Sequence, residues 1–172
     1  MPVYEITGRR PVIGEGTWIA PDAAVIGDVR IGKNCYIGFS ATIRGDFGTI
    51  IIGDETAVEE GVIIHTPDQV LIGNRVIIGH MAMIHGARID DCSLIGMQSM
   101  ICDKAHIEEW AITAEQTLVL KNQVVSSGNI FGGSPARRIG EVEQRHREML
   151  LFGQQAYVNL THQYRESFRE IG

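Results

Sequence analysis

Histidines concentrate in one stretch of this chain, and their type and number predict a metal site. Three of the six histidines, His65, His80 and His85, lie in the segment 65–85. The neutral imidazole ring is a common ligand of zinc, iron and cobalt, so the sequence predicts a metal without selecting among these. We interpret the other three as ordinary surface residues, because a single outward histidine is usually no more than that. These are His106, His146 and His162.

Length and composition limit the kind of protein that could carry such a site. The 172 residues suffice for one domain, the net charge is -6, and 20 glycines accompany only 6% aromatic residues. The negative charge argues against nucleic acid or an anionic membrane as a partner. We see no signal peptide and no long apolar run, so we expect no membrane span and a cytoplasmic location. The three cysteines form no CxxC pair and are interpreted as reduced core residues.

An aliphatic residue recurs at every sixth position through most of the chain. Three extra residues precede Ile52, two precede Ile72, one is missing before Ile89, and only Thr113 departs from apolar character. The series consists of Ile13, Ile19, Val25, Ile31, Ile37, Ile43, Ile52, Val58, Ile64, Ile72, Ile78, Ile84, Ile89, Ile95, Ile101, Ile107, Thr113, Val119, Val125 and Phe131. Such a fixed short repeat predicts a repetitive architecture.

A period of six residues is too short for a pair of helices but suits one short strand plus a corner. Three such sides would close a triangular coil of 18 residues, and coils would stack at the strand spacing of about 4.8 Å. The stretch from Ile13 to Phe131 therefore predicts an all-β solenoid, a parallel β-helix of roughly six or seven coils. The aliphatic residues would point inward, with small residues at the corners. A β-sandwich is the alternative, but it would need strands of period 2 and variable turn spacing.

The two ends of the chain differ from the repeat. We expect a short strand over residues 3–6, a β-helix domain over residues 1–136, and a C-terminal helical segment over residues 137–172, all within one domain. An apolar stripe predicts a helix packed alongside the solenoid, and Gly153 is expected to divide a short helix from a longer one. The stripe consists of Val142, Met149, Phe152, Ala156, Leu160, Tyr164 and Phe168.

The repeat converts distance along the sequence into distance in space. His65 and His85 are 20 residues apart, one coil of 18 plus the insertion of two, so they stack on adjacent coils and face outward. Arg44 precedes His65 by 21 residues and extends the same ladder. His80 lies on the preceding side, above Glu60, and its ring diverges from the ladder. Metal–nitrogen bonds are about 2 Å long, and a neighbouring chain related by a threefold axis could bring its His80 to the ladder, which favours a homotrimer with a divalent metal at each interface.

The same residues resemble the γ-class carbonic anhydrase branch of the hexapeptide-repeat family, over essentially the whole chain. The matching motifs are Arg44-Gly45-Asp46, His65, His80-x4-His85 and Tyr157-Val158-Asn159. The resemblance implies a left-handed β-helix and a metal held by two histidines of one subunit and one of the next. It also implies that Arg44 and Asp46 pair across the trimer interface, where we place Glu60 as well. Tyr157 and Asn159 would belong to the active site.

The activity implied by the resemblance is the reversible hydration of carbon dioxide. Three neutral imidazoles leave zinc, the metal we expect, an open position for a water whose pKa falls to about 7. The resulting hydroxide would attack carbon dioxide, and bicarbonate would leave. The family commonly has Asn-x-Gln-Asp where this chain has Ala57-Val58-Glu59-Glu60, and Phe47 stands where a glutamate is common. Glu59 is therefore a candidate general base, with a solvated interface carboxylate as the alternative.

Two other functions fit the same residues. A CoA-dependent acyltransferase or a CoA-thioester hydrolase would use one histidine at a subunit groove as its base. Three histidines at ligand spacing exceed that need, which favours a metal-dependent enzyme with a small-molecule substrate. A metal-binding scaffold without turnover is the third possibility. Metal analysis separates the acyltransferase from the other two, and a hydration assay separates those two from each other.

Overall fold

Each six-residue repeat forms one short strand and a corner, and three strands complete one turn of a β-solenoid. The computed structural model describes residues 2–172 and contains about seven such turns followed by one helix. The strands are β1 (Val3–Tyr4), β2 (Val12–Ile13), β3 (Trp18–Ile19), β4 (Ala24–Ile31), β5 (Tyr36–Ile37), β6 (Thr42–Ile52), β7 (Ala57–Val58), β8 (Ile63–His65), β9 (Gln69–Ile72), β10 (Ile77–Ile78), β11 (Met83–His85), β12 (Arg88–Ile89), β13 (Leu94–Ile95), β14 (Met100–Ile101), β15 (His106–Ile107), β16 (Ile112–Thr113), β17 (Leu118–Val119), β18 (Val124–Val125), β19 (Asn129–Gly132) and β20 (Arg137–Glu141). The predicted solenoid with a C-terminal helix is confirmed.

The strands stack in parallel from turn to turn and form three walls. The first wall runs from β3 through β5, β7, β10, β13 and β16 to β19. The second wall contains β8, β11, β14 and β17, and the third contains β9, β12, β15 and β18. The long strands β4 and β6 continue around a corner, so the second and third walls share one hydrogen-bonded sheet of twelve strands. The three-residue insertion of the sequence is absorbed inside β6.

The aliphatic series points inward and forms one column of side chains. Every member from Ile19 to Val125 is buried, and only the first and last members are partly exposed. Thr113, the polar member, is also fully buried, and its hydroxyl oxygen accepts a hydrogen bond of 3.1 Å from the backbone N–H of Gly96. A buried polar atom with a partner carries little penalty, which explains why a threonine is tolerated in the column.

The corners repeatedly hold a non-glycine residue in the left-handed backbone region. Among the described residues, eleven such positions between Asn34 and Asn122 have φ of 52–62°. This conformation costs roughly 1–2 kcal/mol per residue, but each turn fixes the next through hydrogen bonds. Met81, for example, donates its backbone N–H to the Glu60 carbonyl at 2.8 Å. His80, directly before Met81, is thereby held in the corner between the first and second walls.

The ends of the solenoid differ in detail from the sequence prediction. The opening strand is limited to Val3–Tyr4, which pairs with β4, and the chain then bends back through a bridge between Ile6 and Arg9. Residues after 136 do not turn helical at once. They first form β20, which pairs antiparallel with β19 and covers the last turn.

One uninterrupted helix, α1 (Gln144–Ser167), runs along the first wall, so the predicted division at Gly153 is wrong. A Cβ atom at position 153 would lie 3.2 Å from Cδ1 of Ile77 in β10. The glycine therefore permits the helix to approach the wall closely and does not end it. His146, predicted to be an ordinary surface residue, has a role at the helix start, where its Nδ1 accepts a hydrogen bond of 2.9 Å from the Glu143 backbone N–H.

The face that α1 buries is only partly the apolar stripe of the sequence. Leu150, Gln154 and Thr161 are the buried residues of the helix, whereas Met149 and Phe152 are 55% and 79% exposed. Gln154 can turn inward because its side-chain amide donates to the backbone carbonyl of Arg75. A prediction from hydrophobic residues alone does not include a polar side chain that is buried because it forms a hydrogen bond. The predicted stripe therefore places the wrong side of the first two helical turns against the wall.

Aromatic rings fill the space between α1 and the first turns of the first wall. Trp18 stacks on Tyr36 with ring centroids 5.3 Å apart, and Tyr157 lies 5.1 Å from Tyr36 on the other side. Tyr164 lies 4.5 Å from Trp18. We call these four residues, together with Phe39 and Phe168, the aromatic cluster.

The cysteines are free, and two of the three match the prediction of core positions. Cys35 and Cys92 are buried, and burial raises the pKa of Cys35 to about 11. Cys102 is partly exposed, because it follows the inward Ile101 and alternation along a strand turns it outward. Across residues 2–172, no helix has the length and apolar character needed to cross a membrane.

Candidate metal centre

A ladder of three residues lies on the outer surface of the second wall. Parallel pairing places Arg44 of β6 beside His65 of β8, and His65 beside His85 of β11. The imidazole rings of the two histidines have centroids 5.3 Å apart. The ladder predicted from insertions of two and three residues is confirmed, because strand pairing absorbs both insertions between one turn and the next.

His65 has a buried ring nitrogen that no hydrogen bond within the chain satisfies. Its Nε2 atom is buried and lacks a hydrogen-bond partner within the described chain, although Asp46 Oδ1 lies 3.3 Å away. Burial and then the charge of Arg44 lower the pKa of His65, so its ring is neutral at neutral pH. A buried imidazole nitrogen without a hydrogen-bond partner is costly unless something binds it.

His85 is oriented by a carboxylate from the next turn, a residue that the sequence reasoning missed. Asp103 Oδ1 lies 2.6 Å from Nδ1 of His85, which leaves Nε2 of that ring available. Histidine ligands of metals commonly have a carboxylate on the other ring nitrogen, which fixes the ring and its tautomer. Asp103 lies 18 residues after His85, one position beyond the coil of 17 residues that joins Ile84 to Ile101, so counting along the repeat places it above Gly86 and gave no direct signal of its contact with His85.

Arg44 and Asp46 form an ion pair within one chain. The guanidinium Nη1 donates to Asp46 Oδ2 at 2.5 Å, because residues two apart on a strand point to the same face. Burial opposes ionisation of Asp46, but the Arg44 hydrogen bond and charge outweigh it and lower the pKa of Asp46. The resemblance predicted this pair between subunits, whereas the structure shows it formed inside one subunit beside His65.

His80 lies outside the ladder, in the corner between the first and second walls, and its ring sits between two carboxylates. Its Nδ1 is 2.8 Å from Glu60 Oε2, and its Nε2 is 3.0 Å from Glu59 Oε2. Glu59 is only 6% exposed and also accepts a hydrogen bond of 3.0 Å from the His80 backbone N–H. The alternative interpretation of Glu59 as a solvated carboxylate is therefore wrong within the chain. Among residues 2–172 of one chain, no three His, Cys, Asp or Glu residues are grouped to hold a metal.

Two tyrosines hold the carboxylates that face His80. The Tyr36 hydroxyl donates to Glu60 Oε1 at 2.7 Å. Burial, followed by the hydrogen bond to Glu60 and its charge, raises the pKa of Tyr36 far above its usual value. Burial, followed by a hydrogen bond to Glu59, does the same for the pKa of Tyr157. Tyr36 was not predicted, because only the stacking of β5 beneath β7 brings it to Glu60.

The remaining predicted residues differ in how near they lie to the histidines and glutamates of the candidate site. Asn159 is exposed on the outer side of α1, where its side-chain oxygen accepts a hydrogen bond of 3.0 Å from Gln155. The structure thus brings Tyr157 to Glu59 but does not bring Asn159 with it. Ala57 is buried in β7, and Phe47 is 68% exposed, its ring 6.1 Å from that of His65.

An apolar stripe runs beside the histidine ladder on the second wall. Ile63, Met83 and Met100 are paired in register on β8, β11 and β14. Ile63 and Met100 remain 44% and 45% exposed, and Met81 at the adjoining corner is 63% exposed. A contiguous exposed apolar surface next to a buried orphan nitrogen is typical of a surface that another chain covers.

Comparisons with known proteins agree with this architecture. The model of the family "Bacterial transferase hexapeptide (six repeats)" matches residues 10–45. The chain is 31% identical over 168 residues to Gamma carbonic anhydrase 2, mitochondrial, of Arabidopsis thaliana, covering 92% of this chain and 60% of that protein. It is 31% identical over 172 residues to Carnitine operon protein CaiE of Proteus sp. (strain LE138), covering 99% of this chain and 87% of that one.

A solved structure matches over nearly the whole length. The hexapeptide transferase family protein from Anaplasma phagocytophilum superposes with a TM-score of 0.91 at 30% identity, covering 94% of this chain and 97% of that chain. By contrast, the chain spans between 60% and 65% of the length of the first curated relatives, the Arabidopsis protein included. This chain therefore shares its fold and ancestry with proteins that carry different names.

Proposed function

The chain belongs to the hexapeptide-repeat family of left-handed β-helix proteins, and from that premise we propose that it is a γ-carbonic anhydrase-like metalloprotein acting as a homotrimer. One observation carries the proposal. Nε2 of His65 is buried without a hydrogen-bond partner beside His85, while the third histidine of the motif, His80, lies at the preceding corner and faces Glu59 and Glu60. Three imidazoles that cannot meet within one chain can meet between two chains related by a threefold axis.

The residues fit a divalent metal, with zinc the expected ion and iron or cobalt suitable. His65 and His85 of one subunit and His80 of the next would hold it, since all three rings have or can free an Nε2 atom. When bound, the ion supplies Lewis acidity, which makes a water-derived nucleophile available near neutral pH. Asp103 and Glu60 occupy the Nδ1 sides of His85 and His80, as carboxylates do at known histidine–metal centres.

The chain itself supplies the remaining groups for reversible hydration of carbon dioxide. Glu59, buried next to His80, is the residue we propose to accept the proton released in the reaction. Tyr157 holds that carboxylate from the helix side. The exposed Phe47 beside His65 gives an apolar rim, which suits a small uncharged substrate such as carbon dioxide.

The proposal is tested by subunit complementation. We expect the wild-type trimer to bind about one metal per chain, and the trimers of His65→Ala or of His80→Ala to bind almost none. Mixing the two inactive variants during refolding should restore metal, because a His80→Ala chain still provides His65 and a His65→Ala chain still provides His80. Random assembly makes three quarters of the trimers hybrid with one intact site of three, so about a quarter of the wild-type metal should return.

The measurements are metal content and carbon dioxide hydration rate on anaerobically purified protein. His106→Ala, a histidine of the third wall, is the control and should keep full metal and activity. A monomer with bound metal, or mixtures that recover nothing, would contradict the shared site. Full metal without hydration would leave the metal-binding scaffold as the function.

A second candidate is a CoA-dependent acyl transfer or thioester hydrolysis. The observation in its favour is the contact of His80 with the buried Glu59, an arrangement that also suits a general base. The solved relative from Anaplasma phagocytophilum is described as a hexapeptide transferase family protein. Turnover of acyl-CoA by metal-free protein, retained in His65→Ala and lost in His80→Ala, would support this candidate over carbon dioxide hydration.

A further inference from the structure

His80 contacts a carboxylate with each ring nitrogen, although a metal ion needs one of those nitrogens. Glu60 Oε2 lies 2.8 Å from Nδ1 and Glu59 Oε2 lies 3.0 Å from Nε2. If His80 is a ligand, as proposed above, one contact must persist and the other must be given up. The two carboxylates differ in what else holds them, and that difference decides which contact persists.

Glu60 is held in place by a hydrogen bond from a buried tyrosine, Tyr36. Its second oxygen, Oε1, accepts a hydrogen bond of 2.7 Å from the Tyr36 hydroxyl. The Tyr36 side chain is only 2% exposed and packs between Trp18 and Tyr157 in the aromatic cluster. Both oxygens of Glu60 are thus in use, one towards the immobile tyrosine and one towards the imidazole.

Glu59 can release the ring without losing its own partners. The oxygen that contacts Nε2 of His80, Oε2, also accepts the hydrogen bond from the His80 backbone N–H at 3.0 Å. That bond does not depend on the orientation of the imidazole. A buried carboxylate that keeps a donor after the ring is taken by a metal is not left unsatisfied. Nε2 is therefore the nitrogen that becomes free.

We propose that Tyr36 is a positioning residue for the metal centre, acting through Glu60 on Nδ1 of His80. Two contacts connect the aromatic cluster beneath α1 with the proposed subunit interface: Tyr36 bonds Glu60, and Glu60 contacts His80. Glu60 fixes the ring orientation through Nδ1, which leaves Nε2 as the atom for a metal once Glu59 releases it. His85 is held in the same way, with Asp103 on Nδ1, so both rings would present the same atom.

The test removes the Tyr36 hydroxyl while keeping the ring. We expect Tyr36→Phe to stay trimeric and folded but to bind Co²⁺ about tenfold more weakly, with an altered absorption spectrum of the bound cobalt. Tyr164→Phe removes a hydroxyl from the same aromatic cluster and serves as the matched control, with unchanged affinity. In a Glu60→Ala background, Tyr36→Phe should add no further loss, because the carboxylate through which Tyr36 acts is already absent.

A second measurement does not need the metal. The nitrogen-15 chemical shift of His80 Nδ1, the atom that contacts Glu60, should change in metal-free Tyr36→Phe and stay as in the wild type in Tyr164→Phe. Wild-type affinity of Tyr36→Phe for Co²⁺, an equal additional loss in the Glu60→Ala background, or an unchanged Nδ1 shift in Tyr36→Phe would each overturn the proposal. Should the wild type bind no cobalt, the proposed metal function fails, and the His80 shifts alone then decide whether Tyr36 positions the ring.

Discussion

At the scale of single residues, the three histidines of the motif differ in what their nitrogens contact. His85 and His80 each have a carboxylate on Nδ1, whereas His65 has a buried Nε2 with no hydrogen-bond partner in the described chain. The two glutamates before His65 also differ in their surroundings, since Glu59 is buried and Glu60 accepts a hydrogen bond from Tyr36. The chemistry of the site therefore depends on neighbours one turn away in the solenoid, more than on neighbours in sequence.

Residue environment also predicts the reactivity of the thiols. Burial raises the pKa of Cys35 from 9.0 to about 11, so at pH 8 only about one thiol in a thousand is ionised there. We expect iodoacetamide at pH 8 to modify Cys102 first and to leave Cys35 unmodified, with labelling of Cys35 rising as the pH approaches 11. Peptide mass spectrometry measures both sites.

The sign of this pH effect follows from the raised pKa. The folded protein keeps the Cys35 proton where the unfolded chain loses it, so stability falls as pH rises between 9 and 11. Cys102→Ser serves as the control and should remove the early labelling alone. Rapid labelling of Cys35 in the folded protein at pH 8 would show that the burial described here is wrong.

At the scale of elements, α1 is attached to the first wall by a mixed set of contacts. Leu150 is 2% exposed, Gln154 bonds the Arg75 carbonyl, and Gly153 lets the helix backbone approach Ile77. Tyr157 then connects the helix to Glu59 at the candidate site. The helix thus covers the wall and also contacts a residue of the candidate site.

Neighbouring leucines on α1 test this packing. Leu150→Ala should lower the free energy of unfolding by about 2–5 kcal/mol, because it leaves a cavity against the first wall. Leu151→Ala, at a side chain that is 44% exposed, should change it by no more than about 0.5 kcal/mol. Guanidinium denaturation at fixed chain concentration measures both. Equal losses in the two variants would mean that the helix packs through a different face.

At the scale of the whole molecule, the second wall has the features of a surface between chains. The apolar stripe of Ile63, Met83 and Met100 lies next to the ladder that holds His65. A homotrimer built around this wall would cover the stripe and would bring a neighbour's His80 to the ladder. Assembly and metal binding would then be two results of the same contact.

A charge placed on the apolar stripe of the second wall tests the proposed homotrimer. Ile63→Arg should convert the trimer to smaller species and abolish metal binding, because a buried unpaired guanidinium is unfavourable at an apolar interface. Leu151→Arg is the matched control, since Leu151 is also 44% exposed but lies on the outer side of α1. Light scattering after size-exclusion chromatography gives the mass. A fully trimeric Ile63→Arg protein would place the interface elsewhere.

Much of the fold could be predicted from the sequence because the repeat is local. A side chain such as Ile64 points inward whatever the distant chain does, and the insertions before Ile52 and Ile72 can be counted. The same counting placed Arg44, His65 and His85 on one ladder. It places Asp103 above Gly86, one position past His85, so the contact between Asp103 and His85 needed the side-chain geometry.

The sequence could not predict contacts between residues of different elements, because the six-residue repeat carries no information about them. The helix face was misassigned because Gln154 bonds a backbone carbonyl 79 residues away, and Gly153 was misinterpreted because its close neighbour is Ile77 of another element. The role of Tyr36 was missed because it stacks beneath Ala57 and reaches Glu60 only through its hydroxyl group. The periodic sequence by itself determined the solenoid and its histidine ladder, since each repeat specifies its own inward residue. The tertiary structure alone decided which nitrogens stay free, because that depends on side chains brought together from different turns and from the helix.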